Sequence, residues 1–132
     1  MTISWDDKYR VGVEKFDAQH INFFKILDRL TQDAAKGEDA VRASVDGLLL
    51  YVTEHFHDEE SLMLECKYQG YEEHLREHEK LLQKTQRIYS EMDMGHPPSV
   101  EQMRELLVNW IQDHILKVDQ NYVPFFREKG VR

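Results

Sequence analysis

Cysteine is nearly absent from this chain. Cys66 is the only one among 132 residues, so no intrachain disulfide can form and cysteine-based zinc sites are excluded. A reducing, cytoplasmic setting is the matching expectation. Long apolar runs are also missing. The longest, around GLLLYV at 47–52, is far too short to cross a bilayer, so no membrane insertion is expected. The opening MTISWDDKYR has no basic start followed by an apolar stretch, which argues against a signal peptide. Basic charge is in deficit, with 17 Lys and Arg against 25 Asp and Glu and a formal net charge of -8. A diffuse acidic surface disfavours nucleic acid or an anionic membrane as the main partner. Heavily charged faces make a monomer the default expectation. Alternating strand patterns of Val, Ile and Tyr are absent too.

With 41% apolar residues, the chain fits one domain, 1–132, with one hydrophobic core. Turn-forming residues divide it at KGED (36–39), YQGY (68–71) and MGHPPS (94–99). Between them lie four stretches of helical length, about 17–36, 40–66, 72–94 and 99–118. Asp17 suits an N-cap for the first. Ser99 and Gln102, behind two prolines, form a capping-box pair for the fourth. The expected fold is all-α: an up-and-down antiparallel four-helix bundle with an N-terminal arm at 1–16, anchored by Trp5 and Val13.

Histidine is unusually frequent, with seven copies. The inward row of the first helix reads His20, Phe23, Phe24, Leu27, Leu30, Ala34. The second reads Val41, Val45, Leu48, Val52, His55, Glu59, Leu62. The third runs His74, His78, Leu81, Thr85, Ile88, Met92, and the fourth Met103, Leu107, Trp110, His114. Residues three or four apart share a helix face, so every apolar stripe carries histidine. Burying so many titratable groups without partners would cost several kcal/mol or more, and a bound metal compensates directly. Five inward histidines, Glu59 and one further carboxylate are too many for a four-coordinate zinc. Two six-coordinate ions with bridging carboxylates and a bridging oxygen fit better, leaving one position open, and this donor set suits iron among other first-row metals. The further carboxylate is Asp113 or Asp119. Asp113 adjoins His114 and points away from it. Asp119 lies five residues on, about 140° off in an ideal helix, and spacing alone leaves the choice open.

Other residues read more plainly. His57 is about 200° round the helix from His55, and His96 lies in a proline turn, so both are expected at the surface. Asp58 and Glu60 read as a solvated face. Glu54 and His57 form a single E-x2-H on the outward side, too little for a ferritin-like site. Cys66, Met63, Met92 and Met103 read as apolar filling.

The arrangement resembles the hemerythrin family, in particular its stand-alone bacterial members. The matching elements are DAQH at His20, HFHDE at His55 and Glu59, HLREH at His74 and His78, and HILKVD at His114 and Asp119. The flanking VGVEKFDAQH and NWIQDHI also resemble the family, and the resemblance covers essentially the whole chain. It implies a non-haem di-iron centre that binds dioxygen reversibly, for storage, transport or delivery. In this reading His74, His78 and His114 hold the coordinatively full iron, and His20 and His55 hold the iron with the open position. Glu59 and Asp119 bridge the two, which selects Asp119 over Asp113. Phe24, Phe56, Trp110, Ile111 and Ile115 are the expected apolar wall around bound oxygen. The alternatives are a di-iron enzyme, either a peroxidase or a nitric oxide reductase, and an oxygen or redox sensor. No inward acid or base is evident beyond the seven ligands, which favours binding without turnover. A delivery partner is not legible in the sequence.

Overall fold

Helix α1 spans Glu14–Gln32, α2 Glu38–Cys66, α3 Tyr71–Asp93 and α4 Val100–Trp110. The computed structural model describes residues 3–132, so the first two residues of the expected arm lie outside it. The four helices form the up-and-down antiparallel bundle, and no strand occurs among the described residues. Helix α1 packs on α2, α2 on α3, and α4 on both α1 and α2.

The helix ends follow local chemistry. Helix α4 opens with the capping box: Ser99 Oγ accepts from the Gln102 N–H at 3.0 Å, and Gln102 Oε1 accepts from the Ser99 N–H at 2.9 Å. Helix α2 begins after Gly37, whose φ of +59° suits only glycine at low cost. It ends at Lys67, a non-glycine residue at φ +59°. There the Tyr68 N–H bonds back to Met63 O at 2.9 Å, which closes the last turn.

Three expectations need correction. Helix α1 starts three residues before Asp17. The Asp17 carboxylate turns back instead and accepts from the N–H groups of Val11 and Gly12 at 2.8 and 3.3 Å, fastening the arm to the helix. Ala34 is exposed, in a 3-10 turn after α1. The fourth helix also runs past 118. It widens into a π-helical stretch over Ile111–Val118, tightens to 3-10 over Asp119–Tyr122, and continues as a short helix, α5, at Val123–Glu128.

The core has two parts. The larger joins Phe23, Leu27, Leu48, Val52, Leu81, Leu107 and Ile111 along the bundle. Each such fully buried side chain contributes about 1.5–3 kcal/mol. The smaller, at one end, joins Val11, Val13 and Phe16 of the arm and α1 to Met63, Tyr122 and Phe126. Trp5 packs edge-on against Phe24, ring centroids 5.6 Å apart. The polar layer lies between these two parts.

Candidate metal centre

His20 comes from α1, His55 and Glu59 from α2, His74 and His78 from α3, His114 from the π-helical stretch and Asp119 from the 3-10 turn after it. All are at most 3% exposed. The structure brings them together as two groups sharing Glu59: Glu59, His74, His78 and His114 in one, and His20, His55, Glu59 and Asp119 in the other.

The π-helical stretch explains how Asp119 arrives there. In an α-helix a residue five places on faces about 140° away. An i to i+5 hydrogen-bond pattern widens the turn and returns that residue towards the same face. Asp119 Oδ1 lies 2.9 Å from His114 Nε2. Asp113 is on the exposed side.

Each carboxylate divides its two oxygens between the groups. Glu59 Oε1 lies 2.6 Å from His74 Nε2 and 3.0 Å from His78 Nε2, while Oε2 lies 3.2 Å from His55 Nε2. Asp119 Oδ1 faces His114 and, at 3.1 Å, His74, while Oδ2 lies 3.2 Å from His20 Nε2. The Nε2 atoms of His20 and His55 approach to 3.1 Å. Despite these distances, both Asp119 oxygens and the Nε2 atoms of His78 and His114 make no hydrogen bond of normal geometry. Lone pairs that converge without bonding one another fit an ion between them. The donor set of imidazoles and carboxylates suits a first-row metal such as iron.

Burial and charge set the protonation of the metal-free site. Burial pushes the Glu59 carboxyl up, but His55, His74 and His78 outweigh it and hold it well below the usual range. Burial and the Glu59 charge push Asp119 up, and His114 and His20 again bring it well below. For His74 burial disfavours the charged form, yet the close approach of the Asp119 and Glu59 carboxylates raises it to about 10. His78 is raised against burial by Glu59 and Glu60. His55 and His114 are lowered because burial prevails over their carboxylate neighbours. The proton held on His74 offsets part of the charge of the two carboxylates, and it must leave when a metal binds.

An outer layer orients these groups. The Tyr122 hydroxyl donates to Glu59 Oε2 at 2.7 Å. His78 Nδ1 pairs with Glu60 at 2.7 Å. His55 Nδ1 pairs with Gln19 Oε1, and the Gln19 amide donates to Asp58 at 2.8 Å. Asp58 in turn meets Lys15 at 3.1 Å. The reading of Asp58 and Glu60 as a merely solvated face is therefore corrected. Both are half-buried and hold the polar layer from outside, whereas His57 is exposed.

Aromatic rings fix the imidazoles. Phe56 lies flat on His78, centroids 3.7 Å apart and planes 2° apart, and Trp110 lies on His114 at 3.8 Å and 10°. Ile111 and Ile115 are fully buried. Phe24 packs instead against Trp5 and Tyr9. Phe16 stands edge-on to His55, and Tyr51 stacks on it.

Tyr51 and Tyr122 correct the expectation that nothing ionisable besides the seven groups points inward. Burial first, then the charges of Glu59 and Asp119, push both phenols well above their ordinary value, so they remain protonated donors. Tyr51 was within reach of sequence reasoning, being four residues before His55 on one face. Tyr122 lies beyond the expected end of the fourth helix and carried no such signal.

Among known families, the hemerythrin HHE cation binding domain matches residues 11–126. The chain is 26% identical to a bacteriohemerythrin of Clostridium acetobutylicum over 126 residues, covering 90% of this chain and 97% of that protein. It is 28% identical to a myohemerythrin of Riftia pachyptila over 121 residues, covering 89% of this chain and 88% of that one. A bacteriohemerythrin of Methylococcus capsulatus is 29% identical over 109 residues, covering 82% of this chain and 83% of its own. No helix among the described residues is long and apolar enough to cross a membrane.

Proposed function

This chain belongs to the hemerythrin family, and we propose that it binds dioxygen reversibly at a pair of iron ions held by His20, His55, Glu59, His74, His78, His114 and Asp119. The observation that carries this reading is the division of oxygens. Glu59 and Asp119 each offer one oxygen to a group with three histidines and the other to a group with two. Two carboxylates divided in this way would each serve two ions, and the group with fewer histidines would leave a position free for a ligand.

Iron supplies the electrons and the open coordination position that dioxygen needs. The chain's own residues do the rest. Glu59 and Asp119 would hold both ions, each through its two oxygens. Tyr122, Gln19 and Glu60 keep Glu59, His55 and His78 in orientation. Phe56, Trp110, Ile111 and Ile115 exclude water and stray protons, which would turn binding into release of reduced oxygen. Phe24 fixes the arm through Trp5 and Tyr9. Storage or delivery of oxygen, by a monomer in the cytoplasm, is the role proposed here.

Metal analysis and one spectroscopic cycle test the reading. About two irons per chain are expected from the donor count. Protein reduced without air should gain ligand-to-iron charge-transfer bands when oxygen is added and lose them when it is removed. One zinc per chain, or immediate irreversible oxidation, contradicts it. The second of these outcomes favours an enzyme or sensor on the same scaffold.

A further inference from the structure

Tyr51 and Trp110 interrupt an otherwise hydrocarbon wall. Tyr51 sits one helical turn before His55, and its ring stacks on that imidazole with centroids 4.9 Å apart and planes 21° apart. The Tyr51 hydroxyl is buried and has no hydrogen-bond partner, and the same holds for the Trp110 indole N–H. That indole approaches the Tyr51 hydroxyl, while its ring lies flat on His114. The two groups therefore span the two sets of histidines. Their neighbours Phe56, Ile111 and Ile115 carry no polar side-chain atom. A phenylalanine at either position would avoid the cost of burying an unpaired donor. The hydroxyl holds nothing in the fold, so its presence points to something that arrives later.

A cleft of about 210 Å3 at the seam of α1 and α2 is lined by Gln19, Gly47, Leu50, Tyr51 and His55. Tyr51 and His55, which belong to the side of the site with two histidines, are part of its lining. Gly47 stands at its edge, and a Cβ there would meet Ile26 Cγ1 at 3.2 Å.

We propose that the Tyr51 hydroxyl, backed by the Trp110 indole N–H, donates a hydrogen bond to a small anionic ligand bound on the His20–His55 side. The inference rests on the reading that this side carries the open position. The indole lies close enough to turn its N–H to the phenol oxygen once the phenol has turned its own proton to a ligand, and a chain of this kind strengthens the terminal donor. Ligands with a charged accepting atom, azide or reduced oxygen, gain most, because hydrogen bonds to charged groups are the stronger ones. Tyr51 thereby becomes a ligand-binding residue and not inert lining.

Azide added to the oxidised, iron-loaded protein is the probe, followed by its charge-transfer band and by the infrared stretch of bound azide. In Tyr51→Phe the azide dissociation constant should rise about tenfold, the loss expected for one charge-assisted bond. The stretch should differ between H2O and D2O in the unaltered protein and lose that difference in the variant. Trp110→Phe should show a smaller change of the same sign. Iron content should stay the same and melting temperature should not fall, since the removed hydroxyl had no partner. Unchanged azide affinity and stretch in an iron-replete Tyr51→Phe would overturn the proposal, as would loss of iron from that variant. An unaltered protein that holds two irons and refuses azide sinks the open-position reading itself, a result distinct from either.

Discussion

The Tyr122 hydroxyl donates to Glu59 Oε2 across 2.7 Å, joining the 3-10 turn near the C-terminus to the last third of α2. Both residues are fully buried. Removing the hydroxyl with Tyr122→Phe leaves a buried carboxylate oxygen short of a donor, at a cost of about 1–3 kcal/mol. The metal-free protein should melt lower. Metal affinity should fall about 10- to 100-fold, as is usual when a ligand loses its orienting partner. Thermal melts and competition with a chelator measure the two effects. No change in either would mean that Tyr122 is only packing.

His55 and His57 test the helical register. His57 is exposed and His55 is buried against Glu59 and His20. His57→Ala should keep full metal content, whereas His55→Ala or Glu59→Ala should lose one or both ions. Metal analysis after desalting distinguishes these. A His57 variant stripped of metal would refute the assigned faces.

Gln19 and Glu60 support opposite halves of the site, through His55 and His78. Gln19→Leu should speed metal loss from the group with two histidines. Glu60→Gln, which replaces a charged acceptor by a neutral one, should speed it from the group with three. Each change should weaken binding about 10- to 100-fold. Release of metal to a chelator should then become biphasic in each variant, with one ion fast and one slow. Identical single-phase release from both variants counts against separate supporting roles.

The metal-free protein should have a distinct pH profile. His74 is raised from 6.5 to about 10 in the folded state. The stability it contributes is fully present below about 6.5 and is lost as pH rises towards 10. Glu59 and Asp119 are depressed, so their contribution is present above the ordinary carboxylate range and lost as pH falls through their lowered values. His55 and His114 are lowered, so the unfolded chain gains protons preferentially as pH drops below 6.5. Melting temperature should therefore peak near neutral pH and fall towards pH 10. Metal should remove the alkaline slope, because a ligated imidazole has no such proton to lose. A flat profile for chelator-treated protein from neutral pH to 10 would count against this account of His74.

Lys67 holds a left-handed conformation at φ +59°, which costs a non-glycine residue about 1–2 kcal/mol. Lys67→Gly should recover about 1 kcal/mol of stability. Denaturant unfolding with an unchanged m-value would show it. The site is not involved, so metal content should not move.

Much of this architecture was legible because helical spacing is strict. His55 with Glu59 and His74 with His78 are four apart, and the rows that contain them are the rows that are buried. The capping box at Ser99 and Gln102 is a local signal and occurs as read. What escaped depends on contacts between distant segments. Asp17 resembles an N-cap, but its carboxylate is recruited by the arm. Glu60 points outward on its own helix, yet α3 lies close enough for His78 to reach it. Asp113 and Asp119 could not be separated by an ideal helix, because the deciding fact is a non-ideal backbone.

That backbone makes the site a matter of counting as well as composition. Helices usually tolerate substitution better than insertion or deletion, and loops absorb both. Here the wide turn over Ile111–Val118 stores one residue's worth of slack inside a helix. Deleting any single exposed residue between His114 and Asp119, such as Lys117, would let the turn relax to the ordinary pitch. Every donor would still be written in the gene, and Asp119 would face elsewhere. Homologues that keep all seven residue types but differ by one in this interval should therefore be read as having turned this carboxylate away from the histidines, whatever their sequence identity.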